Sequence, residues 1–175
     1  MTRDILFTEA EIQAKVKELG AQITKDFQGE EVLLVGILKG SVPFIADLMR
    51  AIDLDVSVDY MQVSSYGANT KSSGVVKIIK DLDADITDKN VIIVEDIVDT
   101  GITLNYLKAY LSARQCKSLK ICTILNKPSK RKVDLVPDYK GFDIDDLFII
   151  GYGLDLDQKY RNLPYISYFQ EEEDD

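Results

Sequence analysis

Two continuous apolar runs constrain this chain most. They are EVLLVGIL (Glu31 to Leu38) and NVIIVED (Asn90 to Asp96), and neither alternates apolar with polar residues. Each is too short for a helix buried all round, so each reads as a strand covered on both faces. KGS follows the first run and EDIVDTGIT closes the second, and a helical apolar pattern comes next in both cases. Strand, turn and helix in repetition predict an α/β fold: a central parallel sheet flanked by helices.

The remaining segments fit that plan. Thr8-Glu9-Ala10-Glu11 matches a capping box, and Ile12, Val16, Leu19, Ile23 and Phe27 follow at helical spacing, with Gly29 after them. Pro43 sits in the first turn of a second helix reaching about Ile52, where its missing N–H does no harm. Val56 to Gly67 is rich in β-formers, Ala68 to Gly74 reads as a mobile loop, and Val75 to Leu82 reads as a strand. Leu104, Leu107 and Leu111 mark a helix, and Ser118 to Lys127 the next strand. Val133 to Asp146 reads as irregular, Leu147 to Leu156 as the last strand. Such sheets bind ligands at the carboxyl ends of their strands, where strand order reverses.

Composition narrows the chemistry. The 175 residues suit one domain, 1–175, with an acidic tail at 170–175 expected to be disordered. There is no histidine, which removes Ser-His-Asp triads, Cys-His pairs and imidazole catalysis. Catalysis must then use carboxylates, lysine, tyrosine, backbone amides or a hard metal ion. Cys116 and Cys122 make no disulfide framework and read as structural. The net charge of −9 argues against nucleic acid as a main partner, although KPSKRK (Lys127 to Lys132) is locally basic. No apolar run approaches the ~20 residues of a membrane helix, and MTRDILFTEAEI does not read as a signal peptide. A soluble, cytoplasmic protein without membrane contact is expected.

The chemistry concentrates after Val94. Glu95, Asp96 and Asp99 stand where the apolar run ends, and Asp99-Thr100-Gly101-Ile102-Thr103 opens a helix. Backbone N–H groups at a helix N-terminus bind phosphate, glycine permits close approach, and threonine hydroxyls add donors. Carboxylates just upstream suit sugar hydroxyls or Mg²⁺. A phosphate cradle beside acids fits a sugar phosphate.

The string from Val91 to Leu104 resembles the phosphoribosyl-pyrophosphate motif of type I phosphoribosyltransferases: apolar residues, two acids, two apolar residues, then D-[ST]-G-x-T. The likeness covers most of the chain and runs closest to the hypoxanthine-guanine branch. Ile37 to Ser41 resembles that family's pyrophosphate loop, which often carries a cis peptide at the position of Leu38–Lys39. Val63 to Gly67 resembles the start of a lid, with Ser65 and Tyr66. Lys127, the segment Leu147 to Asp155, and Arg161 match the remaining binding positions. One departure is Ile102, where some relatives carry lysine; only its backbone amide is expected to reach phosphate.

The resemblance implies the fold in more detail, with a small hood built from terminal segments. It also implies the reaction. A 6-oxopurine, hypoxanthine or guanine, attacks C1′ of phosphoribosyl pyrophosphate, with Mg²⁺ as cofactor. Glu95 and Asp96 would hold ribose and metal, with Asp155 as a further metal or base contact. Asp99 would act as the base, and Asp99 to Thr103 would cradle the 5-phosphate. Lys39, Gly40 and Arg161 would bind pyrophosphate. Lys127 would donate to the 6-oxygen, Phe148 would stack on the base, and Ile149 would offer its backbone. An ammonium only donates, so Lys127 selects an oxo group over an amino group. Homodimers or homotetramers are usual in the family. A xanthine-preferring enzyme and a non-catalytic phosphoribosyl-pyrophosphate sensor on the same fold are the alternatives.

Overall fold

The computed structural model describes residues 3–65 and 76–170. Tyr66, the loop read at Ala68 to Gly74, and the acidic residues 171–175 lie outside the described residues. The elements are β1 (Arg3–Phe7), α1 (Glu9–Asp26), β2 (Val32–Leu38), α2 (Val42–Ala51), β3 (Val56–Ser65), β4 (Val76–Lys80), β5 (Asn90–Val98), α3 (Ile102–Ser112), β6 (Ser118–Asn126), β7 (Tyr139–Asp143), β8 (Ile149–Ile150) and β9 (Ile166–Phe169).

The capping box forms as read. Thr8 Oγ1 accepts from the Glu11 N–H at 3.2 Å, and Glu11 Oε1 accepts from the Thr8 N–H at 3.2 Å. The stripe Ile12, Val16, Leu19 and Ile23 is buried along α1. It packs on α2 closely enough that a Cβ on Gly20 would strike the Ala51 carbonyl.

Six strands form the main sheet in the order β4-β3-β2-β5-β6-β7. All neighbours are parallel except β3 and β4. Residues 66–75 between those two are fewer than the roughly dozen a parallel crossover needs, so the sheet ends in an antiparallel edge. Alternate residues of the central strands feed two cores. Leu34, Ile92 and Val94 face α1 and α2; Leu33, Val35, Val91 and Ile93 face α3 with Leu104, Leu107 and Leu111. The apolar runs are continuous because both faces are covered.

Two sequence expectations change. Val133 to Asp146 is not wholly irregular, since β7 lies within it as an edge strand beside β6. Its YKGFD needs no apolar run because it pairs on one side only, and Gly141 lets it lie against the Ile124 carbonyl. Leu147 to Leu156 does not join the main sheet. Only Ile149 and Ile150 form a strand there, and it belongs to a second, antiparallel sheet of order β1-β9-β8. Positive φ at Gly151 (92°), Tyr152 (49°) and Gly153 (97°) ends it. β1 and β9, too short and mixed to read from pattern, complete this sheet, and it forms the hood.

The chain enters the main sheet at β2, builds outward to β4, then returns to β5 on the other side of β2. The loops after β2 and β5 therefore diverge at a switch point, where α/β sheets bind ligands.

Candidate active site

The loop after β5 makes the first part of the site. Gly101, at φ 79°, precedes α3, whose first turn carries no acidic residue. The Ile102 N–H donates to Thr100 Oγ1 at 3.3 Å. First-turn N–H groups without intrahelical partners, and no competing carboxylate on that turn, favour an anion. Glu95, Ile97, Val98, Asp99, Thr100, Gly101, Thr103 and Leu104 line a cleft of about 160 Å³ there.

Glu95 and Asp96 sit at its inner end. Both keep some solvent-accessible surface yet are crowded by protein. Adjacent strand residues ordinarily point apart, but these two carboxyls interact. Burial, and then the charge of Asp96, pushes Glu95 well above the usual carboxylate range. Burial also pushes Asp96 up, against the Ile97 N–H that it accepts at 2.6 Å and the nearby Arg161 charge. Two crowded carboxyls resist ionising together, and a bound cation would relieve both.

The loop after β2 meets the hood beside Asp96. The Leu38–Lys39 peptide is cis. A Cβ on Gly40 would collide with Asp96 Oδ2, and one on Gly153 would collide with the Gly40 carbonyl. Glycine at both positions is what lets the loop, the acid and the hood touch. Arg161 Nη1 donates to the Gly153 carbonyl at 2.7 Å, while Nη2 lies 3.3 Å from Asp155 Oδ1 and 3.2 Å from Gln158 Oε1. Gln158 also accepts from Lys39 Nζ at 3.5 Å. The remaining donor of Arg161, its buried Nε, has no hydrogen-bond partner among the described residues. Lys39, Gly40, Asp155 and Arg161 therefore gather in one place, bridged by Gln158.

The third part lies between β6 and the hood. Lys127 is 7% exposed. Its ammonium donates to the Leu147 carbonyl at 2.8 Å and stands 3.5 Å from Asp146 Oδ1 and 3.9 Å from Asp99 Oδ1. Asp99 itself is exposed toward solvent. Phe148 is 53% exposed. Phe169 supports it from behind at a centroid distance of 5.9 Å. Ile149 turns its side chain into the core, so only its backbone can face a ligand.

The residues read from sequence thus converge on one face, with two qualifications. Glu95, Asp96 and Asp155 do not form a three-carboxylate cluster among the described residues. Ser65 ends β3 on the same side of the sheet as the loops after β2 and β5. Tyr66 lies outside the described residues. Sequence reasoning missed Gln158 and Asp146, since a glutamine and an aspartate in polar stretches carry no pattern. It also missed the Gly40–Gly153 contact, although GYG after an apolar pair hints at a tight approach. Within the basic string KPSKRK, Lys127 is buried, Lys130 pairs with Asp146 at 2.8 Å, and Arg131 donates to the Leu135 carbonyl. Another cleft, about 270 Å³, opens at the amino ends of the strands near Glu30 and Lys117, away from the switch point.

Comparison with known proteins agrees with this geometry. Residues 3–157 match the phosphoribosyl transferase domain. The chain is 52% identical over 163 residues to the hypoxanthine-guanine phosphoribosyltransferase of Bacillus subtilis, covering 93% of this chain and 91% of that one. It is 51% identical over 170 residues to the Streptococcus thermophilus protein of the same name, covering 97% and 94%. A crystal structure of a hypoxanthine-guanine phosphoribosyltransferase from Bacillus anthracis, with HEPES in its active site, superposes with a TM-score of 0.93 at 52% identity, covering 95% of this chain and 98% of that one. The chain belongs to the phosphoribosyltransferase family.

Proposed function

We propose that this chain is a purine-salvage enzyme that transfers the 5-phosphoribosyl group of phosphoribosyl pyrophosphate to hypoxanthine or guanine. The observation that carries this is the nearly buried Lys127 ammonium standing 3.9 Å from Asp99 at the rim of the phosphate cradle. A cradle alone implies a sugar phosphate. A fixed cation beside it, with an exposed aromatic ring in the adjoining hood, implies an acceptor that is flat and carries an oxo group. Two relatives at about half identity bear the corresponding name.

In the reaction a purine nitrogen bonds to C1′ as the C1′–O bond to pyrophosphate breaks. Residues 99–103 hold the 5-phosphate through backbone N–H groups and threonine hydroxyls. Lys39, the Gly40 backbone and Arg161 take the departing pyrophosphate, Arg161 through a planar fork suited to phosphate. Phe148 stacks on the base and Lys127 donates to its 6-oxygen. Asp99 accepts the ring-nitrogen proton, and such help is worth ~10²–10⁴-fold.

The donor set fits a hard cation. Glu95 and Asp96 offer only oxygen, lie together, and are pushed up mainly by burial. They would hold Mg²⁺, with Asp155 serving on the pyrophosphate side. When bound, Mg²⁺ neutralises charge on the leaving group. The cytoplasm as site of action, and a homodimer or homotetramer as working form, belong to the same proposal, supported by family habit. Product analysis tests the core of it: hypoxanthine, phosphoribosyl pyrophosphate and Mg²⁺ should yield inosine monophosphate and pyrophosphate in equal amounts. Free ribose 5-phosphate without nucleotide would count against it.

A further inference from the structure

We infer that Arg131 is a positioning residue that sets both the phosphate cradle and Asp99. Three consecutive carbonyls of the cradle loop are held from one side. The Val98 carbonyl accepts from the Lys127 N–H at 2.9 Å, the Asp99 carbonyl from Arg131 Nε at 3.2 Å, and the Thr100 carbonyl from the Lys132 N–H at 2.9 Å. A trans peptide points its N–H opposite to its carbonyl. Holding these three carbonyls toward residues 127–132 therefore turns the N–H groups of Asp99, Thr100 and Gly101 away from that segment, toward the cleft they line.

Arg131 is the only side chain in that row of donors. Its other two nitrogens are fixed as well: Nη1 donates to the Leu135 carbonyl at 2.6 Å, and Nη2 donates closely to Asn126 Oδ1. Asn126 is in turn tied to Asp143 Oδ1 at 2.8 Å. The stem lies flat on Gly101, where a Cβ would meet Arg131 Cδ at 2.9 Å. The guanidinium thus links the peptide that carries Asp99 to the residue preceding Lys127. The planar fork makes all three bonds at once, and lysine cannot reproduce them.

This rests on the reading of residues 99–103 as the 5-phosphate cradle. The test is steady-state kinetics of Arg131→Met and Arg131→Lys with both substrates varied, alongside Thr103→Val. Arg131→Met should raise KM for phosphoribosyl pyrophosphate by about tenfold or more and lower kcat by roughly 10²-fold, with the purine KM near that of the wild type. Guanidinium ion at low millimolar concentration should restore part of the rate, and Arg131→Lys should fall between. Should Arg131→Met not fold, Arg131→Lys carries the test. A wild-type donor KM in a folded Arg131 variant, or parallel rises for donor and purine, overturns the inference. An unchanged donor KM in Thr103→Val instead removes the cradle reading beneath it.

Discussion

The ammonium of Lys127 lies 3.9 Å from the carboxylate of Asp99, and the two reach each other from neighbouring strands. Lys127 follows β6 and Asp99 follows β5, so the parallel register from Asn90↔Ser118 to Val98↔Asn126 brings them together. Lys127 further secures this with its own N–H on the Val98 carbonyl at 2.9 Å. The group proposed to read the base and the group proposed to take its proton are thereby set by sheet geometry rather than by a flexible loop alone. The consequence is a division of labour that substitutions can separate.

Asp99→Asn keeps shape and hydrogen-bonding reach but cannot take up a proton. It should lower kcat by ~10²–10⁴-fold while changing either KM little. Unchanged turnover would assign Asp99 to helix capping only.

Lys127→Ala removes the proposed donor to the 6-oxygen and leaves the Leu147 carbonyl and Asp146 without their cation. Base binding should weaken by roughly 10–100-fold, the loss for a charged hydrogen bond of about 1.5–3 kcal/mol. Affinity for phosphoribosyl pyrophosphate, measured by calorimetry, should stay near wild type. Equal loss of both would show that Lys127 holds the site together instead of reading the base.

Glu95→Gln separates stability from function. The carboxyl is pushed up by burial and by Asp96, so its ionisation opposes folding at neutral pH and does so less as pH falls. The unliganded variant should melt higher than wild type at pH 7, with the gap closing in acid. Its activity should fall by roughly 10²-fold if Glu95 makes the proposed metal and ribose contact. A lower melting temperature at pH 7 would mean that Glu95 is a structural acid.

Far from the site, Asp81 tests the electrostatic reading. Burial pushes its carboxyl up, but Arg114 at 2.5 Å, Tyr110 at 2.6 Å and the Leu82 N–H outweigh this and hold it at about 2. A depressed carboxylate stabilises the fold above its unfolded value of about 3.9 and ceases to as pH falls toward 2. The Asp81 side chain is 38% exposed, so solvent screening limits the effect, and Asp81→Asn should cost about 1 kcal/mol at pH 7. In urea titrations that difference should shrink between pH 4 and pH 2.

The parts legible in the sequence were those with strong local pattern. The buried strands β2 and β5 announce themselves because both faces are covered, and α1 because Thr8 and Glu11 cap it. Glu95 to Thr103 was legible because the string is contiguous, so one strand end delivers every group. β7 was not, since a sheet-edge strand pairs on one side and tolerates YKGFD. The hood strands were not, because they are short and their partners lie at opposite ends of the chain: Arg3 pairs with Phe169. Gln158 and Arg131 were invisible for a related reason. Their roles depend on what they touch in space, and neither residue type nor spacing records it.

The most direct measurement of the central claim is an absorbance assay with phosphoribosyl pyrophosphate, Mg²⁺ and each purine in turn. Hypoxanthine or guanine should be converted to its nucleotide, and adenine, whose 6-amino group cannot accept from Lys127, should not. Comparable conversion of adenine, or no nucleotide from any base, would contradict the account.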